Sequence, residues 1–207
     1  MSEVIKTSAP WILVTVAVFG LVLAGQFHRV SDSADLAALQ DAGYFKLETP
    51  VALDDIALVD HHGKPARLQS ISGDWTIVFF GFTYCPDVCP TTMSILNLAL
   101  SKMQEVPTVI MVSVDPARDN PSHLKDYVTG FNPSFIGLTG TGENIRRLAD
   151  QLAIAYAKVP SESEDQYLIE HSGVLVVLDP SGQHAGYIRP PHHPEKLRRI
   201  FSALLDG

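Results

Sequence analysis

Apolar residues fall along this chain in three patterns, and each predicts a different kind of element. The first is a uniform run. From Thr7 to Phe27 no residue is charged, and Ala9 to Gly25 reads APWILVTVAVFGLVLAG. A helix of that length crosses a hydrocarbon core of about 30 Å. It has no polar face, unlike a helix laid on a soluble core. A secretory signal is the competing reading, because Val22-Leu23-Ala24 resembles a small-residue cleavage site. The run is longer than a signal's usual apolar region of roughly 7–15 residues, and only Lys6 is basic ahead of it. The reading adopted is an uncleaved membrane anchor over residues 1–27, followed by a polar tether over 28–44.

The second pattern is the short apolar run bounded by turn residues. Trp75 to Phe82 (WTIVFFGF) and Thr108 to Val114 (TVIMVSV) read as strands buried on both faces. Leu53 to Val59 and Ala66 to Leu68 flank a turn at His61-His62-Gly63-Lys64 and read as a hairpin. Val174 to Leu178, the turn Asp179-Pro180-Ser181-Gly182, and His184 to Ile188 read as another.

The third pattern is helical spacing. A helix is predicted from Pro90, with Met93, Leu96, Leu98, Leu100 and Met103 as its apolar positions. Asn120-Pro121 is a cap followed by proline at the first helical position, with Leu124, Tyr127 and Val128 behind it. Thr141 caps a helix carrying Ile145, Leu148, Ala149 and Leu152, and Pro194 opens the last, with Leu197, Ile200, Phe201 and Leu204. Residues 160–166, PSESEDQ, form an acidic loop that His171 closes. There is no internal repeat. The order hairpin, β, α, β, α, α, β-hairpin, α implies an α/β fold with a central mixed sheet flanked by helices. That is a thioredoxin-like plan with an insertion, over residues 45–207.

Composition changes this picture little. A chain of 207 residues suits one domain plus an appendage. The net charge of −8 argues against nucleic acid as a partner. The mean hydropathy of +0.13 is high for a soluble domain, and its excess lies in the amino-terminal run. Lys6 and Arg29 stand on either side of that run, so charge alone orients it weakly. An Arg- and Ser-rich organelle presequence is absent. The expectation that remains is a single-pass protein of a bacterial inner membrane, with its globular domain in the periplasm.

The candidate chemistry lies in FGFTYCPDVCP, residues 80–90, which holds the only two cysteines, Cys85 and Cys89. Two cysteines cannot make a disulfide framework, and a bridge four residues long closes too small a loop to stabilise a fold much. The turn from a strand into a helix offers backbone N–H groups and the positive end of a helix dipole, both of which favour a thiolate. A spacing of four puts both side chains on one helical face, and Pro90 is tolerated where no amide donor is needed. Redox chemistry and metal binding both fit such a pair. A thioredoxin-type oxidoreductase has two residues between its cysteines, whereas this chain has three. Soft thiolates favour Cu(I), with Zn(II) as competitor. A structural zinc site would need four protein ligands, so two cysteines and one histidine suit copper better. Of eight histidines, His28 falls in the tether and His123 on a polar helix face. His61-His62 lie in a hairpin turn and His192-His193 in a proline-rich loop, where either pair could catch a metal adventitiously, and neither is assigned to the cysteine site. His171 differs, because it leads into a strand whose start faces the cysteine turn in a thioredoxin-like sheet.

Four stretches resemble the Sco/SenC family of copper-binding assembly factors for cytochrome c oxidase. They are FGFTYCPDVCP, VSVDPARDNPSHLKDYV at 112–128, FIGLTGT at 135–141 and YLIEHSGVLVVLDPSG at 167–182. The likeness covers residues 45–207, and an amino-terminal anchor is also a family feature. The resemblance implies that Cys85, Cys89 and His171 bind one copper ion, as Cu(I) or Cu(II), destined for the CuA centre of oxidase subunit II. It further implies a redox-active Cys85–Cys89 pair, a periplasmic copper donor and a thioredoxin-like reductant as partners, and no enzymatic activity in the ordinary sense. Tyr84 stands where many relatives have histidine.

Three rivals use the same residues. One is a thiol–disulfide oxidoreductase acting on the CuA-site cysteines of the subunit, which has no need of His171. Another is a thiol peroxidase, because Val88-Cys89-Pro90-Thr91 resembles a peroxiredoxin segment. The third is a copper or redox sensor signalling through the span. Asp87 and Asp115 are candidates for supporting or partner contacts, with Asp115 read as a turn residue ahead of Pro116. Arg118 and Asp119 are expected to hold their loop by pairing with each other or with backbone.

Overall fold

The computed structural model describes residues 36–71, 73–159 and 167–206. The expected anchor, most of the tether and the acidic 160–166 loop lie outside the described residues. Among the described residues no helix is long and apolar enough to cross a membrane. One compact unit runs from Ala42 to Gly207.

Eight strands form a mixed sheet in the order β1 (Tyr44–Val51), β10 (His184–Ile188), β9 (Leu175–Leu178), β4 (Thr76–Gly81), β5 (Thr108–Ser113), β6 (Ile136–Thr139), β2 (Leu58–Asp60) and β3 (Pro65–Ala66), and β7 (Tyr156–Val159) pairs with β8 (Leu168–His171) apart from it. The centre is β4 (Thr76–Gly81), every residue of which is buried. Burial on both faces is why its sequence shows no alternation. It runs parallel to β5 (Thr108–Ser113), from Thr76↔Thr108 to Gly81↔Ser113, and antiparallel to β9 (Leu175–Leu178), with Phe79 opposite Leu175. Beyond β5 lies β6 (Ile136–Thr139), parallel to it, and then β2 (Leu58–Asp60) and β3 (Pro65–Ala66). On the other side β10 (His184–Ile188) pairs with β9 and with β1 (Tyr44–Val51).

The short α1 (Leu68–Ile71) precedes β4. The major helices are α2 (Val88–Leu100), α3 (Pro121–Phe131), α4 (Gly142–Gln151) and α5 (Pro194–Leu205). The predicted caps form. The Asn120 side chain accepts from the His123 N–H at 3.0 Å, and Thr141 Oγ1 accepts from the Asn144 N–H at 3.2 Å. Cys89, Met93, Leu96 and Leu100 are buried along α2, whereas Leu98 is 55% exposed and the helix ends before Met103. At the β9–β10 turn, Asp179 Oδ1 accepts from the N–H groups of Ser181 and Gln183, and Gly182 adopts φ +75°.

Three features depart from the sequence expectation. Tyr44, assigned to the tether, is buried in the edge strand β1, which the sequence reading passed over. β1 shows only one fully buried residue, so its alternation is faint. β6 is four residues long, below the length at which an apolar run declares itself. The segment ending at His171 is the strand β8 (Leu168–His171), registered against β7 (Tyr156–Val159), and not the close of a loop.

At Gly186 the edge strand β1 lies tightly against β10. A Cβ there would stand 2.6 Å from the Phe45 carbonyl oxygen and 2.8 Å from the Tyr44 ring. Gly186→Ala should therefore push β1 off β10 and lower stability by about 1–3 kcal/mol, the range for overpacking. Urea unfolding followed by circular dichroism checks this, and an unchanged midpoint would mean β1 contributes nothing.

Candidate metal centre

Where β4 ends, the chain turns. The Cys85 N–H donates to the Phe82 carbonyl at 3.2 Å, and α2 begins at Val88 with Asp87 as its N-cap, whose side chain makes no capping bond. Cys85 is therefore half-buried in the turn, and Cys89 is fully buried on the first turn of the helix. The Cys89 N–H points at Cys85 Sγ, 3.3 Å away. Gly81 makes room for the second sulfur, since a Cβ there would lie 3.1 Å from Cys89 Sγ and 2.7 Å from the Phe79 ring.

His171 arrives from the far end of the sequence. Its Nε2 stands 3.2 Å from Cys89 Sγ, although 82 positions separate the two. The ring sits edge-to-face against Phe79 and Phe82, with centroids 5.7 Å and 5.9 Å away. Its Nδ1 is 3.2 Å from the Ser172 carbonyl oxygen, which can only accept, so the proton is on Nδ1 and the Nε2 lone pair faces the sulfurs. The ligating atoms of Cys85, Cys89 and His171 all lie within 4.8 Å of one another, the only such His/Cys/Asp/Glu group of three or more among the described residues.

The electrostatics differ from the sequence expectation. Burial pushes the Cys89 thiol well above the ordinary range, reinforced by its contact with Cys85 and by the field of Asp119. Burial likewise holds His171 below the usual imidazole value, against the bond to Ser172. The helix terminus does not compensate for desolvation at Cys89. Desolvation thus favours the neutral forms of both groups while no cation is present.

The loop after β5 supports this arrangement through two acids. Asp119, fully buried, accepts from the Thr83 N–H at 3.0 Å, the Thr83 hydroxyl at 2.6 Å and the Ser113 hydroxyl at 2.6 Å. It thereby ties the cysteine turn to the end of β5. Asp115 is also buried, accepting from the Tyr167 hydroxyl and from Arg118 Nε, both at 2.5 Å. Of the two pairings expected for Arg118 and Asp119, the one with each other does not form, whereas Asp119 does hold backbone at the Thr83 N–H, and Asp115 is more than a turn residue. Arg118 also lies over the Tyr167 ring at 3.7 Å and near Tyr84 at 4.9 Å. Tyr167, just ahead of β8, escaped the sequence reading. The clustered Asp-Pro-x-Arg-Asp string was the only available signal for this network.

The remaining histidines stay apart from the cysteines. His61 and His62 face each other with their Nε2 atoms 3.0 Å apart, and His61 Nδ1 accepts from the Gly137 N–H at 2.8 Å. That bond puts the His61 proton on Nε2, so this pair is hydrogen-bonded and lacks two free lone pairs for a metal. His123 is exposed on α3, His184 is buried in β10, and His192 donates to a backbone carbonyl. His28 lies outside the described residues.

Known proteins share this architecture. The chain is 32% identical over 207 residues to a SCO2-like protein of Rickettsia prowazekii, covering 97% of this chain and 92% of that one. Apo Sco1 of Thermus thermophilus superposes with a TM-score of 0.70 at 35% identity, over 78% of this chain and 96% of that one. Arabidopsis thaliana ScoI, solved with copper bound, superposes with a TM-score of 0.69 at 30% identity, over 74% and 97%. Residues 49–206, which include both cysteines, His171 and the Asp115–Asp119 loop, match the SCO1/SenC model, and the chain belongs to the SCO1/SenC family.

Proposed function

We propose that this protein is a copper metallochaperone for the CuA centre of cytochrome c oxidase, holding one copper ion on Cys85, Cys89 and His171. The observation that carries the reading is the convergence of two sulfurs and one imidazole nitrogen within 4.8 Å. The donor set suits the ion, because thiolates favour Cu(I) and an added nitrogen accommodates Cu(II). Copper-bound relatives of the same family support the choice of metal. Loading requires Cys89 to lose its proton to solvent or a donor protein, and the ion's charge replaces what the buried site otherwise lacks. Release to oxidase subunit II then proceeds by ligand exchange, the acceptor's thiolates displacing these one at a time. Cys85, the more accessible sulfur, is the natural point of first attack. The protein is not an enzyme in the ordinary sense under this reading.

A second reading, thiol–disulfide exchange with the same subunit, has one observation in its favour. A half-buried Cys85 beside a buried Cys89 matches an attacking and a resolving thiol. Two thiols would leave as one disulfide, with two electrons and two protons passing to the substrate disulfide. Peroxide chemistry at Cys89 is disfavoured by its complete burial. The proposed setting is a bacterial inner membrane, with residues 1–27 as an uncleaved single-pass anchor, 28–44 as tether and 45–207 facing the periplasm. A periplasmic copper donor and a thioredoxin-like reductant complete the cycle.

Reduced protein should take up about one equivalent of Cu(I), and the disulfide form negligible amounts. Metal analysis after gel filtration decides this, and equal uptake by both forms would move the metal to the histidines. His171→Ala should abolish the thiolate-to-Cu(II) charge-transfer absorption while part of the Cu(I) binding persists, because Cu(II) depends more on a nitrogen donor. Retention of the full band would remove His171 from the site. For the anchor, alkaline phosphatase fused after Gly207 should be active and the protein should resist carbonate extraction. Soluble protein beginning near Gly25 would convert the anchor into a signal peptide.

A further inference from the structure

A metal ligand must be held to within about half an ångström of its working position. His171 sits at the last residue of β8, and only Ser172, Gly173 and Val174 join it to β9. Two polar contacts in that connection are local, from His171 Nδ1 to the Ser172 carbonyl at 3.2 Å and from the Val174 N–H to Ser172 Oγ at 3.2 Å. Two come from other elements. The Ser172 N–H donates to the Ala155 carbonyl, just ahead of β7, at 3.0 Å. His192 Nε2 lies 2.7 Å from the Gly173 carbonyl oxygen. A carbonyl only accepts, so Nε2 carries the proton and donates.

The His192 side is firmly built. It follows Pro190 and Pro191, whose rings fix the backbone, and α5 starts two residues later at Pro194. Gly173 lies against this loop, since a Cβ on it would come 3.7 Å from Pro190 Cγ. His192 Nδ1 is buried and has no hydrogen-bond partner. Burial also holds the ring below its ordinary pKa, which agrees with a neutral imidazole bearing its proton on Nε2. The polar capacity of this side chain is thus directed at one atom, two residues from His171. The adjacent His193 is exposed, and its side chain makes no capping bond to α5.

We propose that His192 is a positioning residue for His171: its Nε2–H holds the Gly173 carbonyl, and through it the strand end that aims the His171 imidazole at the cysteine sulfurs. This rests on the assignment of Cys85, Cys89 and His171 as copper ligands. It reverses the sequence expectation that His192 is an imidazole unconnected with the cysteine site.

Two measurements on the full chain test it. In the metal-free, reduced protein, amide hydrogen exchange by NMR reports the connection directly. His192→Ala should speed exchange at Ser172 about tenfold, the consequence of one lost hydrogen bond, with Val78 in the core unchanged. In the Cu(II)-loaded protein the same substitution should shift or weaken the charge-transfer band while the Cu(I) stoichiometry holds. His192→Gln, which keeps a donor at a similar reach, should restore both, and His193→Ala should alter neither. Unchanged exchange and an unchanged band in His192→Ala overturn the proposal. So does faster exchange with an unchanged band, since the connection would then move without consequence for the ligand. Equal acceleration at Val78 also overturns it, by making the role one of general stability. Should His192→Ala fail to fold, His192→Leu is compared with His192→Gln, and identical behaviour of the two is the negative result. His171→Ala separates this inference from the ligand assignment. If His171→Ala keeps the band, the assignment itself fails and the inference with it. If His171→Ala loses the band while His192→Ala matches the unsubstituted protein, only the positioning role fails.

Discussion

The antiparallel register between β4 and β9 is the constraint on which the metal centre depends. Phe79 lies opposite Leu175, so the residues preceding Leu175 run past the carboxyl end of β4, where the chain turns into the cysteines. His171 is four residues before Leu175 and falls against Phe79 and Phe82. Both strands are buried, so a slip of one residue would exchange the faces of every side chain in the pair and carry the imidazole away with them. Hydrophobic packing of the sheet centre thereby sets the geometry of a polar site 82 residues apart in sequence. The opposite edge of β4 works the same way. Its parallel pairing with β5 sets Ser113 beside Gly81 and brings Asp119 within reach of Thr83. The site sits at the carboxyl ends of adjacent parallel strands, the usual position for function in open α/β sheets.

The chemistry of the two cysteines follows from depth more than from the helix dipole. A dipole effect at a partly exposed terminus is worth about 0.3–1 kcal/mol. Full burial of a thiolate costs considerably more unless a cation compensates it. Cys89 is fully buried, which favours its thiol form until a cation arrives, whereas Cys85 remains in contact with solvent. The two sulfurs are unequal by position, although their sequence surroundings, each followed by proline, look alike. That inequality lets one ligand be exchanged before the other, and it is common to the chaperone and oxidoreductase readings.

Much of this was legible in the sequence for physical reasons, and the omissions have physical reasons too. β4 and β5 declared themselves because strands buried on both faces leave continuous apolar runs. α3, α4 and α5 did so because a cap or a proline stood just before helical spacing. The Cys-x3-Cys pair was visible at once, and His171 became visible through its place before β9. The chain did not announce β1, whose only fully buried residue is Tyr44, nor β7 and β8, which form a two-stranded ribbon apart from the main sheet. The depth of Cys89, and with it the cost of ionising it without a cation, is not written in its neighbouring residues. Tyr167 and His192 were missed because their partners, Asp115 and the Gly173 carbonyl, lie 52 and 19 positions away. Sequence spacing reports contacts within one element, and these cross between elements.

A single loop connects the two halves of the site. Within five residues it supplies Asp119, which grips Thr83 ahead of the cysteines, and Asp115, which grips Tyr167 ahead of β8. Arg118, between them in sequence, pairs with Asp115 and lies against the rings of Tyr167 and Tyr84, one from each half. Apolar burial is non-directional, and it would tolerate small rotations of the cysteine turn against the β8 end. Hydrogen bonds to carboxyl groups in a buried setting are directional and are worth about 1.5–3 kcal/mol each when charged. Each acid here makes at least two such bonds with side chains, so neither half of the site can turn without breaking contacts to the same loop. The apolar sheet brings the three ligands together, and the 115–119 loop ties the cysteine turn to the residue just ahead of β8.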